Sequence, residues 1–188
     1  MLVDAKELNM AANIPEETNI PTMEKPIVEP EFVITRTFKA PIESLWKAWT
    51  DPENLKQWWG PRGFAVPVRE MDVRPGGTFR IVMRSSDGVN YPLKGIYRKV
   101  VQPELLVYTE NWEEHPTDWQ NILIENGDGN EAQGALTTVT FKEQKGRTIM
   151  SIKTLFESFA MRNAMLKIGM KEGWMESLDR LDEFLEKA

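Results

Sequence analysis

The 188 residues carry 23 Lys and Arg against 29 Asp and Glu, and the resulting net charge of −6 argues against nucleic acid as a partner. One domain of this length buries roughly 70% of its unfolded surface, enough for a core without metal or disulfide staples. The absence of cysteine excludes a disulfide framework, thiolate catalysis and Cys-ligated metal, and the single histidine, His115, excludes a multi-histidine metal site and must serve any Ser-His-Asp relay.

Residues 1–31 hold Lys6 and Lys25 against seven acidic residues and contain Pro15, Pro21, Pro26 and Pro30 without an apolar period. Such a segment buries too little surface to offset the entropy of ordering. The chain is therefore divided into a flexible acidic arm, 1–30, and a domain, 31–188. The first ten residues lack the basic and apolar regions of a secretory signal, and no window is apolar enough for a membrane span, so a soluble cytoplasmic protein is expected.

From Phe32 the pattern changes. Phe32, Ile34, Arg36 and Phe38 alternate with Val33, Thr35, Thr37 and Lys39, which predicts a first strand ending at Pro41. Ile42, Leu45, Trp46 and Trp49 then recur at helical spacing. Asp51-Pro52 opens a second short helix, with Leu55 and Trp58 inward and Gly60-Pro61 at its end. Residues 64–156 read as antiparallel strands joined at Arg74-Pro75-Gly76-Gly77, Asp87-Gly88, Gln102-Pro103-Glu104 and Lys145-Gly146-Arg147. Between Trp112 and Ala135 the text is polar and predicts a loop with one helical turn around Trp119 to Ile124. Leu166, Met170, Trp174, Leu178, Leu181 and Leu185 predict one helix from Ser158 to Lys187, roughly 45 Å long. Its interior glycines, Gly169 and Gly173, ask for a close approach to the sheet or a ligand, or for a bend.

This order predicts an α+β helix-grip fold: a curved antiparallel sheet wrapped around a long C-terminal helix, with two short helices after the first strand. Several blocks carry a resemblance to a known family: Ile34-Thr35-Arg36-Thr37-Phe38, Leu45-Trp46-Lys47-Ala48-Trp49-Thr50-Asp51-Pro52, Trp58-Trp59-Gly60-Pro61, Glu70 through Gly77, Pro103 through Thr109, and Glu172 through Leu181. They resemble the START-related, Bet v-like (SRPBCC) superfamily and, within it, the activator-of-heat-shock-ATPase homologues. The resemblance spans about Glu31 to Leu185 and implies a cavity between the concave sheet and the last helix.

Three functions follow as expectations. The first is binding of a small, largely apolar molecule such as a lipid, polyketide or aromatic compound, with no cofactor, no metal and no catalytic residue. Its pocket would be lined by Phe64, Phe79, Ile81, Met83, Tyr97, Tyr108, Trp112, Met170 and Trp174, each of which also reads as ordinary core. The second is a chaperone-stimulating or other interaction module, with Trp58-Trp59 as a lid or partner-binding edge, although one of the two reads better as a core anchor, and with Met161, Met165 and Met175 available either to the core or to self-association; the resemblance implies an additional domain in the eukaryotic relatives, for which this chain has no room. The third is a cofactor-free cyclase or hydrolase using Glu70 or Asp72 with Tyr97 or Tyr108.

Alternation with Phe64, Val66 and Val68 puts Glu70 and Asp72 on the concave side, where an unpaired carboxylate has a raised pKa. A bulge near Arg74–Gly77 would reverse that side, and a partner such as Arg80 or Tyr97 would make the carboxylates structural; this is the favoured reading. Arg80 and Arg84 fall outside the pocket, and His115, between Glu114 and Pro116, reads as a surface residue.

Overall fold

The computed structural model describes residues 28–127, 129 and 134–187. The arm assigned to 1–30 lies outside the described residues except for Val28, Glu29 and Pro30. Pro30 already belongs to the sheet edge, its carbonyl accepting the Phe156 N–H at 3.0 Å.

The elements run β1 (Glu31–Phe38), α1 (Ile42–Thr50), α2 (Pro52–Trp58), β2 (Ala65–Met71), β3 (Thr78–Arg84), β4 (Asn90–Val101), β5 (Leu105–Asn111), α3 (Thr117–Asn126), β6 (Ala135–Gln144), β7 (Arg147–Phe156), α4 (Phe159–Lys167) and α5 (Met170–Leu185). The seven strands form one antiparallel sheet in the order β1-β7-β6-β5-β4-β3-β2, so β1 crosses to pair with β7 and every other neighbour is a sequential connection. Alternation decides the faces. Leu106, Tyr108 and Glu110 of β5, Thr137, Val139 and Phe141 of β6, and Met150, Ile152 and Thr154 of β7 all turn inward and are buried.

The two short helices close one end of this concave face. On α1 the residues Ile42, Leu45, Trp46, Ala48 and Trp49 are buried. The Asp51 carboxylate caps α2 by accepting the N–H groups of Glu53 at 2.8 Å and Asn54 at 3.2 Å, with Pro52 in the first turn where its missing N–H costs nothing. Trp58, fully buried, donates its indole N–H to the Ala48 carbonyl at 2.9 Å and so locks α2 onto α1.

The single C-terminal helix expected from the leucine stripe is two helices. Gly169 has φ +94°, a left-handed conformation that ends α4 and starts α5 in a new direction. The apolar period survives this break because both helices present an inward face: Met161, Ala164 and Met165 from α4, and Leu178 and Leu181 from α5. Arg36, the one charge on the inward face of β1, reaches Asp179 and, at 3.1 Å, Asp182, tying α5 to the sheet. Gly169→Ala meets no crowding within ordinary contact of its new methyl group other than Glu172 at 3.9 Å, but it places a Cβ in the left-handed region. We expect it to cost about 1–2 kcal/mol, read as a lower urea midpoint, whereas an unchanged midpoint would mean that the joint does not require that geometry.

Residues 117–126 also differ from expectation. They form a full helix, α3, rather than a loop with one turn, because Trp119 and Leu123, four residues apart, give it a buried side: Leu123 is completely enclosed and Trp119 packs on Trp112. No described helix is long and apolar enough to cross a membrane.

Candidate functional site

Between strands β3–β5, the strip after α2, α3 and the α4–α5 joint lies an open cavity of about 360 Å³. Its placement follows from local structure. Gly169 turns the chain so that Ile168 and Met170 both face the space, and one turn on α5 passes Pro61 at Gly173, where an added Cβ would make an ordinary contact with the Pro61 ring at 3.6 Å. Arg180 of α5 donates to the carbonyls of Gly60 at 2.8 Å, Pro61 at 3.1 Å and Trp59 at 3.2 Å, fixing the strip after α2 that forms one rim. Trp59 and Trp174 meet edge to face at 5.4 Å and make a continuous aromatic wall with Trp49 behind them.

The nine residues expected to line a pocket separate into two groups. Phe64, Met83, Trp112, Met170 and Trp174 border the cavity. Phe79, Ile81, Tyr97 and Tyr108 lie deeper, beside Trp49, Leu55 and Leu106, around a void of only about 10 Å³, which is too small for a ligand. These four are packed core: the Phe79 ring lies 5.3 Å from both tyrosine rings and covers Gly95, where a Cβ would come within 2.5 Å of it.

Glu70 does not border this cavity. The register shifts between Ala65 and Val68, so Arg69 and Met71 face Ile81 and Phe79 on the inner side while Glu70 stands opposite Arg80 on the outer side, exposed. The irregularity that reverses the side sits at the start of β2 rather than at the Arg74–Gly77 turn. Asp72 is likewise outside, ion-paired with Arg74 at 2.9 Å.

Two ionisable residues that the pocket reading did not include do line the cavity. Glu110, two residues after Tyr108 on the inner face of β5, is 8% exposed. Its Oε1 accepts the Thr137 hydroxyl at 2.8 Å, and Thr137 in turn lies 3.1 Å from the Thr154 hydroxyl, a buried row across three strands. Burial outweighs that bond and pushes the Glu110 carboxyl up to about 7. His115, expected at the surface, is 9% exposed, with its ring 4.3 Å from that of Trp119 and 5.7 Å from that of Tyr91. Its Nδ1 is buried without a hydrogen-bond partner. Desolvation lowers the imidazole to about 4, against an opposing interaction with the Pro92 carbonyl. The charged run Glu113-Glu114 disguised it: Glu114 turns outward to Arg80 and Lys94, and the chain then folds His115 back under α3.

The cavity is thus apolar and aromatic, with a carboxyl group that titrates near neutrality and a neutral imidazole. Among the described residues no cluster of three or more acidic or histidine side chains could hold a metal ion. Tyr97 and Tyr108, raised above the ordinary phenol value by burial, sit in the packed layer and not on the outer side with Glu70 and Asp72; the carboxyl group that acts on Tyr108 is that of Glu110.

A family model described as "Activator of Hsp90 ATPase homolog 1-like protein" matches residues 39–186. No curated protein matches the chain in sequence. Solved structures share its fold. A solution structure of an Arthrobacter aurescens protein is 25% identical, with a TM-score of 0.72, and covers 88% of this chain and 91% of its own. A crystal structure of a Nitrosomonas europaea protein is 22% identical, with a TM-score of 0.69 and coverage of 84% and 94%. One from Mycobacterium smegmatis is 24% identical, with a TM-score of 0.69 and coverage of 84% and 91%.

Proposed function

The chain belongs to the Activator of Hsp90 ATPase homolog 1-like protein family, and we propose that this member binds a small, largely apolar molecule between the sheet and the C-terminal helices. One observation carries the reading: an open cavity of about 360 Å³ walled by aromatic and methionine side chains, with few polar groups at defined places. That volume and lining match those of sites that enclose small organic ligands. The alternative, a module that stimulates a chaperone ATPase, rests on the family description. It loses its expected surface, because Trp58 is fully enclosed and Trp59 is 6% exposed.

Met170→Trp tests the binding reading. Met170 lies at the start of α5 facing the cavity, and the indole fills space that a ligand would need. Titration of an environment-sensitive apolar dye should give at least tenfold weaker binding in this variant, with an unchanged urea midpoint. Equal dye affinity in the folded variant would place the dye elsewhere and count against the cavity.

A further inference from the structure

The cavity has an unusual balance. Among the described residues, six aromatic rings, those of Trp59, Phe64, Tyr91, Trp112, Trp119 and Trp174, surround a single carboxyl group, and no lysine or arginine lines the space. Elsewhere among the described residues several acidic side chains on or beside the sheet find cations: Glu114 meets Arg80 and Lys94, and Glu31 meets Lys153. Glu110 does not. Among the described residues its side-chain hydrogen bond is the one from Thr137, made to Oε1. Lys94 and Arg80, which pair with each other across β3 and β4, project from the opposite face of the sheet to Glu114. The Thr154–Thr137–Glu110 row points hydroxyl protons toward the carboxyl group, an arrangement that suits its ionised form.

A ligand entering this space meets aromatic rings, whose π systems attract cations, and an acid lacking a counter-ion. A neutral apolar guest would cover that acid without giving it a counter-ion, which is costly, whereas an ammonium group would satisfy both features. Resting on the binding reading above, we infer that the ligand is an apolar or aromatic amine whose protonated nitrogen pairs with Glu110, its carbon skeleton lying against the tryptophan walls. His115 supports this selectivity by staying neutral: a second acceptor nitrogen beside the aromatic rings, and no competing positive charge.

The test uses two probes of nearly the same shape, 2-naphthylmethylamine and 2-naphthalenemethanol, titrated at pH 8 into the full chain and into Glu110→Gln, with tryptophan fluorescence as readout. The amine should bind the natural chain at least tenfold more tightly than the alcohol, and the ratio should fall to about one in the variant. A ratio near one in the natural chain, or a ratio that survives Glu110→Gln, overturns the amine assignment and leaves apolar binding standing. If neither probe binds, the cavity reading itself falls and the amine assignment with it. Folding of the variant is checked by its urea transition.

Discussion

Trp58→Ala will cost the fold about 3–5 kcal/mol, the range for truncating a fully buried aromatic residue. The ring is completely enclosed, 5.0 Å from Trp49 and 5.3 Å from Trp59, and its N–H is the only one directed at the Ala48 carbonyl among the described hydrogen bonds. Truncation therefore empties the junction of α1 and α2 and leaves a buried carbonyl without its donor. Urea unfolding followed by circular dichroism checks the size. A loss below about 1 kcal/mol would mean that the neighbouring tryptophans collapse into the space and that the junction is not a packing anchor. Because Trp59 belongs to the cavity wall, a destabilised junction will also weaken binding of apolar probes.

The second large effect is a pair of opposite pH dependences. Burial raises the Glu110 carboxyl from 4.5 to about 7, so the folded chain keeps a proton that the unfolded chain releases in that interval. Its contribution is fully present below about pH 4.5 and is lost as pH rises toward 7. His115 is lowered from 6.5 to about 4, so the unfolded chain takes up a proton that the folded ring refuses, and stability is lost as pH falls from 6.5 toward 4. Each shift corresponds to about 3 kcal/mol at the unfavourable end of its window. Tyr97 and Tyr108, which share the inner face with Glu110, have phenols raised by burial and stay neutral throughout. In the natural chain the two slopes oppose each other between about pH 4.5 and 6.5 and nearly cancel. Glu110→Gln should therefore gain stability with rising pH between 4 and 6.5 and exceed the natural chain by about 3 kcal/mol at pH 8. His115→Phe should do the reverse, losing stability between 4.5 and 7 while exceeding the natural chain at pH 4. Parallel stability curves for all three proteins would contradict both assignments.

How far the sequence reaches depends on whether a residue's fate is decided locally. The first strand, the Asp51-Pro52 helix start and the turns at Asp87-Gly88 and Lys145-Gly146-Arg147 are written in short-range chemistry, and the structure has them where the pattern places them. The α+β order and family blocks are long enough to show the fold. The side on which Glu70 falls is not local: a single irregularity between Ala65 and Val68 reverses it, and nothing in the composition of that stretch marks the bulge. The break at Gly169 was signalled by a glycine in a helical period, but only the backbone shows that it adopts a left-handed conformation rather than a bend. Glu110 was readable in principle, since Leu106, Tyr108 and Glu110 alternate on one face of β5. His115 was not, because its burial depends on α3, whose weak apolar stripe is completed by tertiary contact with Trp112 and the sheet. The pocket set divides for a related reason. Strand alternation predicts which residues turn inward, but not which of them meet a neighbour and which meet open space.

The central claim is that the space between sheet and helices admits a small apolar molecule, and the methionines report on it directly. Met83, Met165 and Met170 border the cavity, Met150 is enclosed in the core, and Met175 is exposed on α5. Titrating 2-naphthylmethylamine at pH 8 into protein carrying ¹³C-methyl methionine should move the signals of Met83, Met165 and Met170 together and saturably, with Met150 and Met175 unmoved. Shifts absent from those three at the highest soluble probe concentration, or no greater than that of Met175, would contradict the account.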